Sequence, residues 1–313
     1  MNNIEGAVEA ERANASGDPL SDPKELARLF SRVYGRLDRD FAAAVRPAFR
    51  LGFEKVGRTG SCALTCAVTE EHLVVANAGD CRAVLGTSED DVAGSAAPSV
   101  AFDLSRDHNA KIPAEKERLA REHPGEADIV LCKSPTACYV KGHLQPTRAL
   151  GDLYLKLPEF NGIKGDRSRG RFIKPPYSPP YILNEPELHV RPRQPGDRFV
   201  LLASDGLWDA MSSDEAVAFV DGALRPKQGD ATPREDVARS LVQEALRREA
   251  AAARISLPRL LSEPAGRGRR GLHDDITVVV VYLDGQGGAS SSSGGAGVWG
   301  WVSSLFGASP KAQ

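Results

Sequence analysis

Apolar residues recur at helical spacing in the first part of the chain, after a short polar leader. One face of a helix would hold all of these residues: Leu26, Leu29, Phe30, Val33, Tyr34 and Leu37. Asp22, Pro23 and Glu25 stand just before them, in the order of capping residue, first-turn proline and acid that is typical of a helix start. The pattern predicts a helix from about residue 23, which Pro47 is expected to kink or end.

Three short segments with strand character follow this helix. They cover residues 62–69 (CALTCAVT), 72–79 (HLVVANAG) and 81–87 (CRAVLGT). The connections between them are only a few residues long, around residues 70–71 and 79–80, which is typical of tight turns. The sequence therefore predicts an antiparallel meander.

Two later segments, residues 198–204 and 276–283, are apolar at consecutive positions, which favours strands covered on both faces. Helices are predicted between them. Ser212 and Glu215 have the spacing of a capping box, and Thr232 followed by Pro233 indicates a second helix start. Because strands and helices cluster instead of alternating strictly, we expect an α+β fold, a layered domain with helices packed outside antiparallel sheets.

The two ends of the chain lack a pattern that would bury them. Residues 1–21 are polar and small and are predicted to be a disordered N-terminus, which places the domain at residues 22–284. Residues 285–313 are predicted to be a Gly/Ser linker (GQGGASSSSGGAG) followed by an apolar tail. The tail segment VWGWVSSLF is either a disordered end or a peptide that docks on a partner or a membrane surface.

The charge balance and the lack of long apolar segments argue against a nucleic-acid partner, a membrane span and a signal peptide. The 40 Lys and Arg residues are balanced by 42 Asp and Glu residues, so no basic excess indicates a nucleic-acid partner. No run of about 18 apolar residues is present, which argues against a membrane span. The first residues also lack the apolar core of a signal peptide.

Cysteine usage bears on the compartment. The five cysteines form no CxxC pair and leave an odd count, so we expect neither a disulfide framework nor a zinc site. This favours a reducing compartment, the cytoplasm or the nucleus. A mitochondrial location stays open, because a transit peptide would lie upstream of Met1.

Three aspartates stand where predicted strands end or begin. Asp205 follows the first doubly covered strand, Asp274 precedes the second, and Asp80 ends a strand of the meander. If the two covered strands are antiparallel neighbours, the end of one lies beside the start of the other, and Asp80 could join them. Converging carboxylates repel unless a cation lies among them, and oxygen ligands favour Mg²⁺ or Mn²⁺ over zinc. Each aspartate taken alone also fits an ordinary turn.

Five ordered segments resemble those of the metal-dependent protein serine/threonine phosphatases of type 2C. The match spans about residues 60–284, and the segments are VANAGDCRAVLG, LSRDHNA, LQPTRALGDLYLK, LLASDGLWDAMSSDEAV and HDDITVVVVYLD. Further segments, such as DHNAKIPAEKERLAREHP and PPYILNEPELHV, resemble the pyruvate dehydrogenase phosphatases and a plant-type group of larger type 2C enzymes.

This resemblance implies a fold, a metal centre and an activity. The fold would be a sandwich of two antiparallel sheets flanked by helices. By motif, Asp205 and Asp274 correspond to metal-ligating aspartates of the family, and Asp80 to an acid associated with a further metal ion. The implied reaction is hydrolysis of phosphoserine or phosphothreonine in phosphoprotein substrates, by a water that two or more Mg²⁺ or Mn²⁺ ions activate. The chain is expected to act as a monomer.

The chain departs from the family pattern before the meander. Family members carry an upstream Arg that holds phosphate, then a strand ending in Asp-Gly-His-Gly-Gly, whose Asp bridges two metal ions; residues 1–59 contain neither. No catalytic residue is therefore assigned. One expectation is that the sequence starts after that motif, which would leave one sheet with an unpaired edge and an exposed, aggregation-prone core. The alternatives are a catalytically impaired binding or scaffold module and an unrelated metal-binding protein, which five ordered motifs disfavour.

Several other residues have two interpretations each. Asp284 begins the segment DGQGG, which resembles the absent motif with Gln286 in place of His, but its position favours the start of the linker. Cys81 stands where the family has Ser and is interpreted as a tolerated small residue. His273 is either a hydrogen-bond donor behind the metal site or a surface residue. Arg148 and Asp152 are expected to brace a loop near the cleft.

Overall fold

Two antiparallel β-sheets face each other, and helices cover both outer faces, so the predicted fold class is confirmed. The computed structural model describes residues 4–13, 22–88, 90, 97–162, 172–225, 231–283 and 301–307. The strands are β1 Gly60–Val68, β2 His72–Ala78, β3 Arg82–Ser88, β4 Ser99–Asp103, β5 Val130–Cys132, β6 Cys138–Val140, β7 Leu150–Gly151, β8 Glu187–Pro192, β9 Asp197–Ala203, β10 Val278–Tyr282 and β11 Trp301–Gly307. The α-helices are α1 Ile4–Ala13, α2 Pro23–Arg50, α3 Pro113–Glu122, α4 Asp205–Ala210, α5 Ser213–Leu224, α6 Arg234–Ala252, α7 Leu257–Ser262 and α8 Arg267–Arg270.

The first sheet has the strand order β11-β1-β2-β8, with β7 paired to the start of β1, and the second has the order β10-β9-β3-β4. Consecutive strands β1 and β2 form the predicted hairpin, with Ala63 opposite Ala78. Strand β3 does not continue it. It pairs with β9 and β4 in the other sheet, so the predicted meander is wrong at its third strand.

The crossing from one sheet to the other takes place at residues 79–81. Gly79 has a φ of +132°, a conformation that side-chain-bearing residues rarely adopt. A Cβ atom at this position would also lie 2.3 Å from the Cys62 sulfur, so glycine is required for space as well as for backbone conformation. The short connection that suggested a hairpin turn is therefore a crossover between the two layers of the sandwich.

Three layers of apolar side chains hold the sandwich together. Between the sheets lie residues such as Leu64, Leu85 and Leu202. The outer face of the second sheet packs against α4, α5 and α6. The outer face of the first sheet packs against α2. The sheet residues that face the helix are mostly small, which allows the helix to approach closely: Ala63, Ala67, Ala76 and Ala78.

Helix α2 has the predicted start and the predicted apolar face. The Asp22 side chain accepts a hydrogen bond from the Lys24 amide, and Leu26, Phe30 and Tyr34 are fully buried. The helix continues through Pro47 and ends at Arg50, so the proline acts only within the last turn.

Two later predictions for helix starts had different outcomes. The capping box of Ser212 and Glu215 is present at the start of α5, with both reciprocal hydrogen bonds. Helix α6 begins one residue later than predicted, with Pro233 as its N-cap. The amide of Thr232 instead donates to the carbonyl of Ala223, which ties the α5–α6 connection together.

Strand β10 differs in burial from the prediction of two covered faces. Val279 and Val281 pack into the layer between the sheets, and Val278 and Val280 pack against the helices. All five residues of β10 nevertheless remain partly exposed, because the strand lies at the edge of its sheet, whereas β9 is interior and almost entirely buried.

Both chain ends contain regular structure that the sequence interpretation left out. Residues Ile4–Ala13 form α1, which buries Ala7 and Val8 against α2 and places Glu11 3.3 Å from the Arg36 guanidinium. Residues Trp301–Gly307 form β11 on the outer edge of β1. No described helix is long and apolar enough to cross a membrane.

One pair of cysteines contradicts the expectation that disulfides are absent. Cys132 and Cys138 are joined across the β5–β6 hairpin, where the strand register places them directly opposite each other. The total count of cysteines could not reveal this local pairing. The other three cysteines, Cys62, Cys66 and Cys81, are free thiols.

A buried charge network ties α2 to the loops beside the sandwich. Both Asp38 oxygens lie 2.9 Å from the Lys156 ammonium, and the Gly151 amide and the Asn184 side chain also donate to this carboxylate. Burial lowers the pKa of Lys156, and the Asp38 charge opposes that shift. The Asp38 carboxylate therefore holds α2 against two other segments, the one that contains Gly151 and Lys156 and the one that contains Asn184.

We expect Asp38→Asn to lower the free energy of unfolding by about 3–5 kcal/mol, because the buried Lys156 ammonium would lose its counter-charge. Urea denaturation measures the change. Asp40→Asn is the matched control on the same helix, since Asp40 is exposed, and it should stay within about 0.5 kcal/mol of the parent. Equal effects of the two substitutions would show that the network does not stabilise the fold.

Candidate metal and phosphate site

Asp205 and Asp274 lie near each other, as predicted, because β9 pairs with β10. These strands are antiparallel, and Ala203 lies opposite Val278, so the end of β9 meets the start of β10 as predicted. The pairing continues beyond the strands, because the Ser204 amide donates to the Thr277 carbonyl at 3.1 Å. The Ser204 hydroxyl also donates to the Asp275 carbonyl at 2.9 Å.

Gly206 allows the loop before β10 to lie directly against the start of α4. A Cβ atom at this position would be 2.6 Å from the Asp275 carbonyl oxygen, which is closer than real Cβ contacts. Gly206 therefore serves close packing between the two segments. It brings the segment containing Asp274 against the segment containing Asp205.

Asp80 reaches the same region from the crossover. Its carboxylate is buried and accepts hydrogen bonds from the Asn109 side chain at 2.8 Å and from the Cys62 thiol at 3.2 Å. The side-chain amide of Asn77 donates to the Gly79 and Cys81 carbonyls, which fixes the backbone on both sides of Asp80. The crossover is thus held rigidly where it passes the ends of β9 and β10.

All three predicted aspartates line one cavity of about 440 Å³. Its wall holds five carboxylates but only two cationic side chains, together with neutral polar and aromatic groups: Asp80, Asp107, Asp205, Asp209, Asp274, Arg82, Lys111, Asn109, His143, Tyr139 and Trp208. The excess of carboxylate oxygen suits a hard divalent cation. Within the described ranges, however, no three His, Cys, Asp or Glu side chains are grouped closely enough to hold a metal ion by themselves.

The crowding of carboxylates changes their protonation. Burial, followed by the charges of Asp80, Asp274 and Asp209, raises the pKa of Asp205 from 3.8 to about 7. Burial also raises the pKa of Asp80, although its bonds to Cys62 and Asn109 oppose the shift. A cation among these groups would favour their ionised forms, and carboxylate oxygens are the ligands that Mg²⁺ and Mn²⁺ prefer.

Two cations on the cavity wall were not assigned a role from the sequence. The Arg82 guanidinium is held by both oxygens of Asp107, at 2.9 and 2.7 Å, and lies over the Trp208 ring, 5.0 Å from its centroid. The Lys111 ammonium lies 3.6 Å from an Asp209 oxygen. Both residues belong to segments on which the family resemblance rests, or adjoin them, and only the tertiary structure shows that they share a cavity with Asp205.

Other residues interpreted from the sequence lie behind this cavity or beside it. The His273 ring contacts the Asp274 carbonyl at 2.7 Å and accepts from Arg269, so it braces the loop that holds Asp274. Arg148 donates to the Glu185 carbonyl at 2.8 Å, and the Asp152 amide donates to the Thr59 carbonyl at 2.8 Å, so each joins a loop to a neighbouring segment. Cys81 is buried in the layer between the sheets.

The motif that the family uses for its bridging ligand has no counterpart among the described residues of the cavity wall. The segment DGQGG, with Asp284 and Gln286, lies outside the described residues. Its interpretation as a linker therefore remains a prediction. An unpaired edge was expected in one sheet, and in the structure the outer edge of β1 in the first sheet is paired with β11.

An α+β sandwich of antiparallel sheets with an acid-rich cavity at its strand ends suits a protein that binds hard divalent cations. Comparison with known proteins identifies the family. The sequence profile of protein phosphatase 2C matches residues 11–253, and the chain belongs to that family.

Two plant proteins illustrate the similarity. The chain is 37% identical over 259 residues to probable protein phosphatase 2C 64 of Arabidopsis thaliana, covering 82% of this chain and 60% of that protein. It is also 37% identical over 256 residues to probable protein phosphatase 2C 34 of Oryza sativa subsp. indica, covering 82% and 63%. The chain thus spans about three-fifths of the length of these relatives.

Solved structures support the fold. A serine-threonine phosphatase 2C from Toxoplasma gondii superposes with a TM-score of 0.56 at 18% identity, covering 90% of this chain and 76% of that one. A C. elegans sex determining protein gives the same TM-score at 20% identity, covering 90% and 51%.

The raised pKa of Asp205 predicts how the stability of the metal-free chain depends on pH. Its pKa is about 7 in the folded state and near 3.9 when unfolded, so the folded state binds more protons between these values. Stability is therefore lost as the pH rises from about 4 to about 7, with about 1.4 kcal/mol of the loss between pH 6 and 8. Urea denaturation at both pH values, in the presence of a chelator, measures this.

Asp205→Asn should remove most of this pH dependence, because the amide does not titrate. A variant that kept the full slope would show that other groups cause it.

We also expect Asp205→Asn to weaken Mn²⁺ binding at least tenfold in a calorimetric titration, since it removes a charged oxygen from the cavity. Asp214→Asn is the control, because Asp214 is exposed on α5 and does not line the cavity. Unchanged affinity in Asp205→Asn would exclude this residue as a ligand.

Proposed function

We propose that this chain hydrolyses phosphoserine and phosphothreonine in phosphoproteins, with Mg²⁺ or Mn²⁺ bound at Asp205, Asp274 and Asp80. The observation that carries the proposal is the shared cavity of these three aspartates, which belongs to a chain of the protein phosphatase 2C family. When bound, the cations would lower the pKa of water and screen the charge of the phosphate oxygens.

The charges of the cavity support a need for cations. A phosphate monoester carries negative charge, and the five carboxylates of the wall would repel it more strongly than Arg82 and Lys111 attract it. Divalent cations reverse this balance. The carboxylates of the chain then serve to hold cations, and the substrate meets a positive instead of a negative surface.

Arg82 and Lys111 are suited to orient the phosphate. The two hydrogen bonds that Arg82 donates to Asp107 and the contact with Trp208 hold its guanidinium in one position, which reduces the entropy lost when it binds an anion. Lys111 is partly exposed and is held less tightly, at 3.6 Å from Asp209. It can therefore move towards a bound phosphate while Arg82 stays fixed.

The relatives favour one branch of the family. We propose that the chain is a plant-type protein phosphatase 2C of the larger group, because the matched relatives from Arabidopsis thaliana and Oryza sativa share 37% of their aligned residues with it. The pyruvate dehydrogenase phosphatases share some of the same segments, and the substrate would distinguish the two groups.

One observation favours a second function, that of a binding module with impaired catalysis. The described carboxylates line one cavity, yet no three of them converge closely enough to hold a metal ion, and no bridging acid is identified. Two cations a few ångström apart repel strongly unless a carboxylate lies between them. A chain that held only one cation would bind phosphoproteins but turn them over slowly.

A phosphatase assay on a phosphothreonine peptide with Mn²⁺ separates the two functions. If the chain is an enzyme, Asp205→Asn should lower kcat/KM at least 100-fold, because it weakens the charge that stabilises the transition state. Asp214→Asn should retain the activity of the parent. A parent chain that binds Mn²⁺ and the peptide but releases no phosphate would contradict the enzyme and favour the module.

A further inference from the structure

The β5–β6 hairpin forms part of the cavity wall but belongs to neither sheet of the sandwich. Its two strands have three residues each and form a sheet of their own. Tyr139, in the middle of β6, lines the cavity that holds Asp205, and so do His143 and Leu144 just after the strand. Because a two-stranded hairpin is marginally stable by itself, the position of this wall depends on other contacts.

The base of the hairpin is anchored by a buried charge. The Lys141 ammonium lies 2.9 Å from a Glu126 oxygen and 2.6 Å from an Asp128 oxygen, and the Lys141 side chain is almost fully buried. The Lys141 amide also donates to the Ile129 carbonyl at 2.8 Å. These contacts do not involve the tip of the hairpin, so the base can stay in place when the tip changes.

The tip of the hairpin is attached mainly by the Cys132–Cys138 disulfide. The two residues lie opposite each other, and the turn beyond them is closed by a bond from the Lys133 amide to the Ala137 carbonyl at 2.9 Å. Residues 131–136 are exposed, and none of residues 131–137 packs into the apolar clusters of the described chain. The tip also touches the cavity wall, because the Lys133 ammonium lies 5.3 Å from the centroid of the Tyr139 ring.

The position of this disulfide in the chain indicates a local effect. The two cysteines are only six positions apart, and the stabilisation that a crosslink gives to a whole fold grows with the length of the loop it closes. The other three cysteines are free thiols, which is not the pattern of a disulfide framework. In chains with free thiols of this kind, a lone disulfide is more often a transient bond than a structural crosslink.

The two halves of the disulfide differ in exposure. Cys132 is exposed, whereas Cys138 is fully buried in an apolar cluster. An exposed disulfide is labile because a thiolate can reach one of its sulfur atoms. The Ser134 and Pro135 carbonyl oxygens lie 3.7 and 3.8 Å from the Cys138 sulfur, so they are placed to accept a hydrogen bond from a Cys138 thiol. The reduced state therefore leaves no buried polar group without a partner at this position.

We propose that the Cys132–Cys138 disulfide is a redox-sensitive control of phosphopeptide binding, an inference that rests on the proposed phosphatase function. In the oxidised state the disulfide fixes β6, and Tyr139 is held in the cavity wall. A dithiol reductant opens the bond and loosens the tip of the hairpin. The cavity then loses a fixed aromatic surface beside its carboxylates, and the affinity for a phosphopeptide falls.

The dithiol supplies both electrons and both protons of the reaction. One thiolate of the reductant attacks the Cys132 sulfur, and Cys138 leaves as a thiolate that takes up a proton. The second thiol of the reductant then attacks the mixed disulfide, and Cys132 is released as a thiol. Two cysteine thiols form, and the reductant leaves as a disulfide.

The first test measures the redox state without reference to activity. The full chain is equilibrated with reduced or oxidised dithiothreitol, alkylated, and analysed by peptide mass spectrometry. We expect Cys132 and Cys138 to become alkylated together and reversibly, while Cys66 and Cys81 stay protected by burial. A disulfide that survives reduced dithiothreitol in the folded chain would overturn the proposal.

Hydrogen exchange of the same two samples measures the hairpin. Exchange over residues 131–139 should be about tenfold faster, or more, in the reduced chain, because the tip opens locally. The Lys141 amide, which donates to the Ile129 carbonyl, is the internal control and should be equally protected in both states. Equal exchange over residues 131–139 in the two states would contradict the proposal.

Two variants separate the disulfide from the other thiols in the phosphothreonine peptide assay with Mn²⁺, run under nitrogen after removal of dithiothreitol. Cys132→Ser opens the bond permanently at an exposed position, and Cys66→Ala removes a free thiol as the matched control. We expect reduction to raise KM roughly threefold or more in the parent and in Cys66→Ala, with little change in kcat. Cys132→Ser should show the raised KM in both conditions.

A chain that releases no phosphate in either state would contradict the proposed function, and the dissociation constant of the peptide then takes the place of KM. Equal peptide affinity in the oxidised and reduced parent would overturn the redox proposal, whether or not the chain is active. A redox response that persists in Cys132→Ser would overturn it as well, since another group would then cause the response.

Discussion

The position of one residue, Ala203, sets the geometry of the site. Ala203 ends β9, and it is paired on one side with Arg82 of β3 and on the other with Val278 of β10. Asp205 follows it by two residues, Asp80 precedes Arg82 by two, and Asp274 precedes Val278 by four. Because three adjacent strands begin or end at one level of the sheet, their flanking carboxylates must lie at one rim.

This arrangement has an electrostatic cost, which the rest of the fold offsets. Burial, together with neighbouring carboxylates, disfavours the ionised state and raises the pKa of Asp205 in the folded chain. The layers of apolar side chains between the sheets and under the helices supply the compensating stability. Buried pairs such as Asp38 and Lys156 fix the loops in place, and loss of one partner would leave a buried charge without its counter-charge.

The family and the cavity give complementary information about function. Membership of the protein phosphatase 2C family indicates which reaction to test, and the cavity shows which carboxylates and cations of this chain lie near one another. The bridging ligand of the family has no counterpart in the described cavity wall. The enzyme and the binding module therefore differ in one physical property, the ability to hold two cations close together.

Local pattern predicted many of the elements. The apolar face of α2, the capping box of α5 and the strands β1, β2, β3, β9 and β10 all follow from periodicity and end signals, which depend on neighbouring residues only. The three aspartates were also recognised as strand-end acids, and the antiparallel pairing of β9 with β10 that would unite two of them is confirmed.

Pairing between distant segments was decided only by the tertiary structure. The connection at Gly79 looked like a hairpin turn, since a short connection has the same composition whether the next strand pairs or crosses to another sheet. The crossing depends on Cys62, which is distant in sequence and leaves no room for a side chain at residue 79. The disulfide of Cys132 and Cys138 depends likewise on the register of β5 and β6, which places the two residues opposite each other. A count of cysteines does not reveal this register. Strand β11 is the clearest example: its composition favours a strand, but only the fold shows that it pairs with β1.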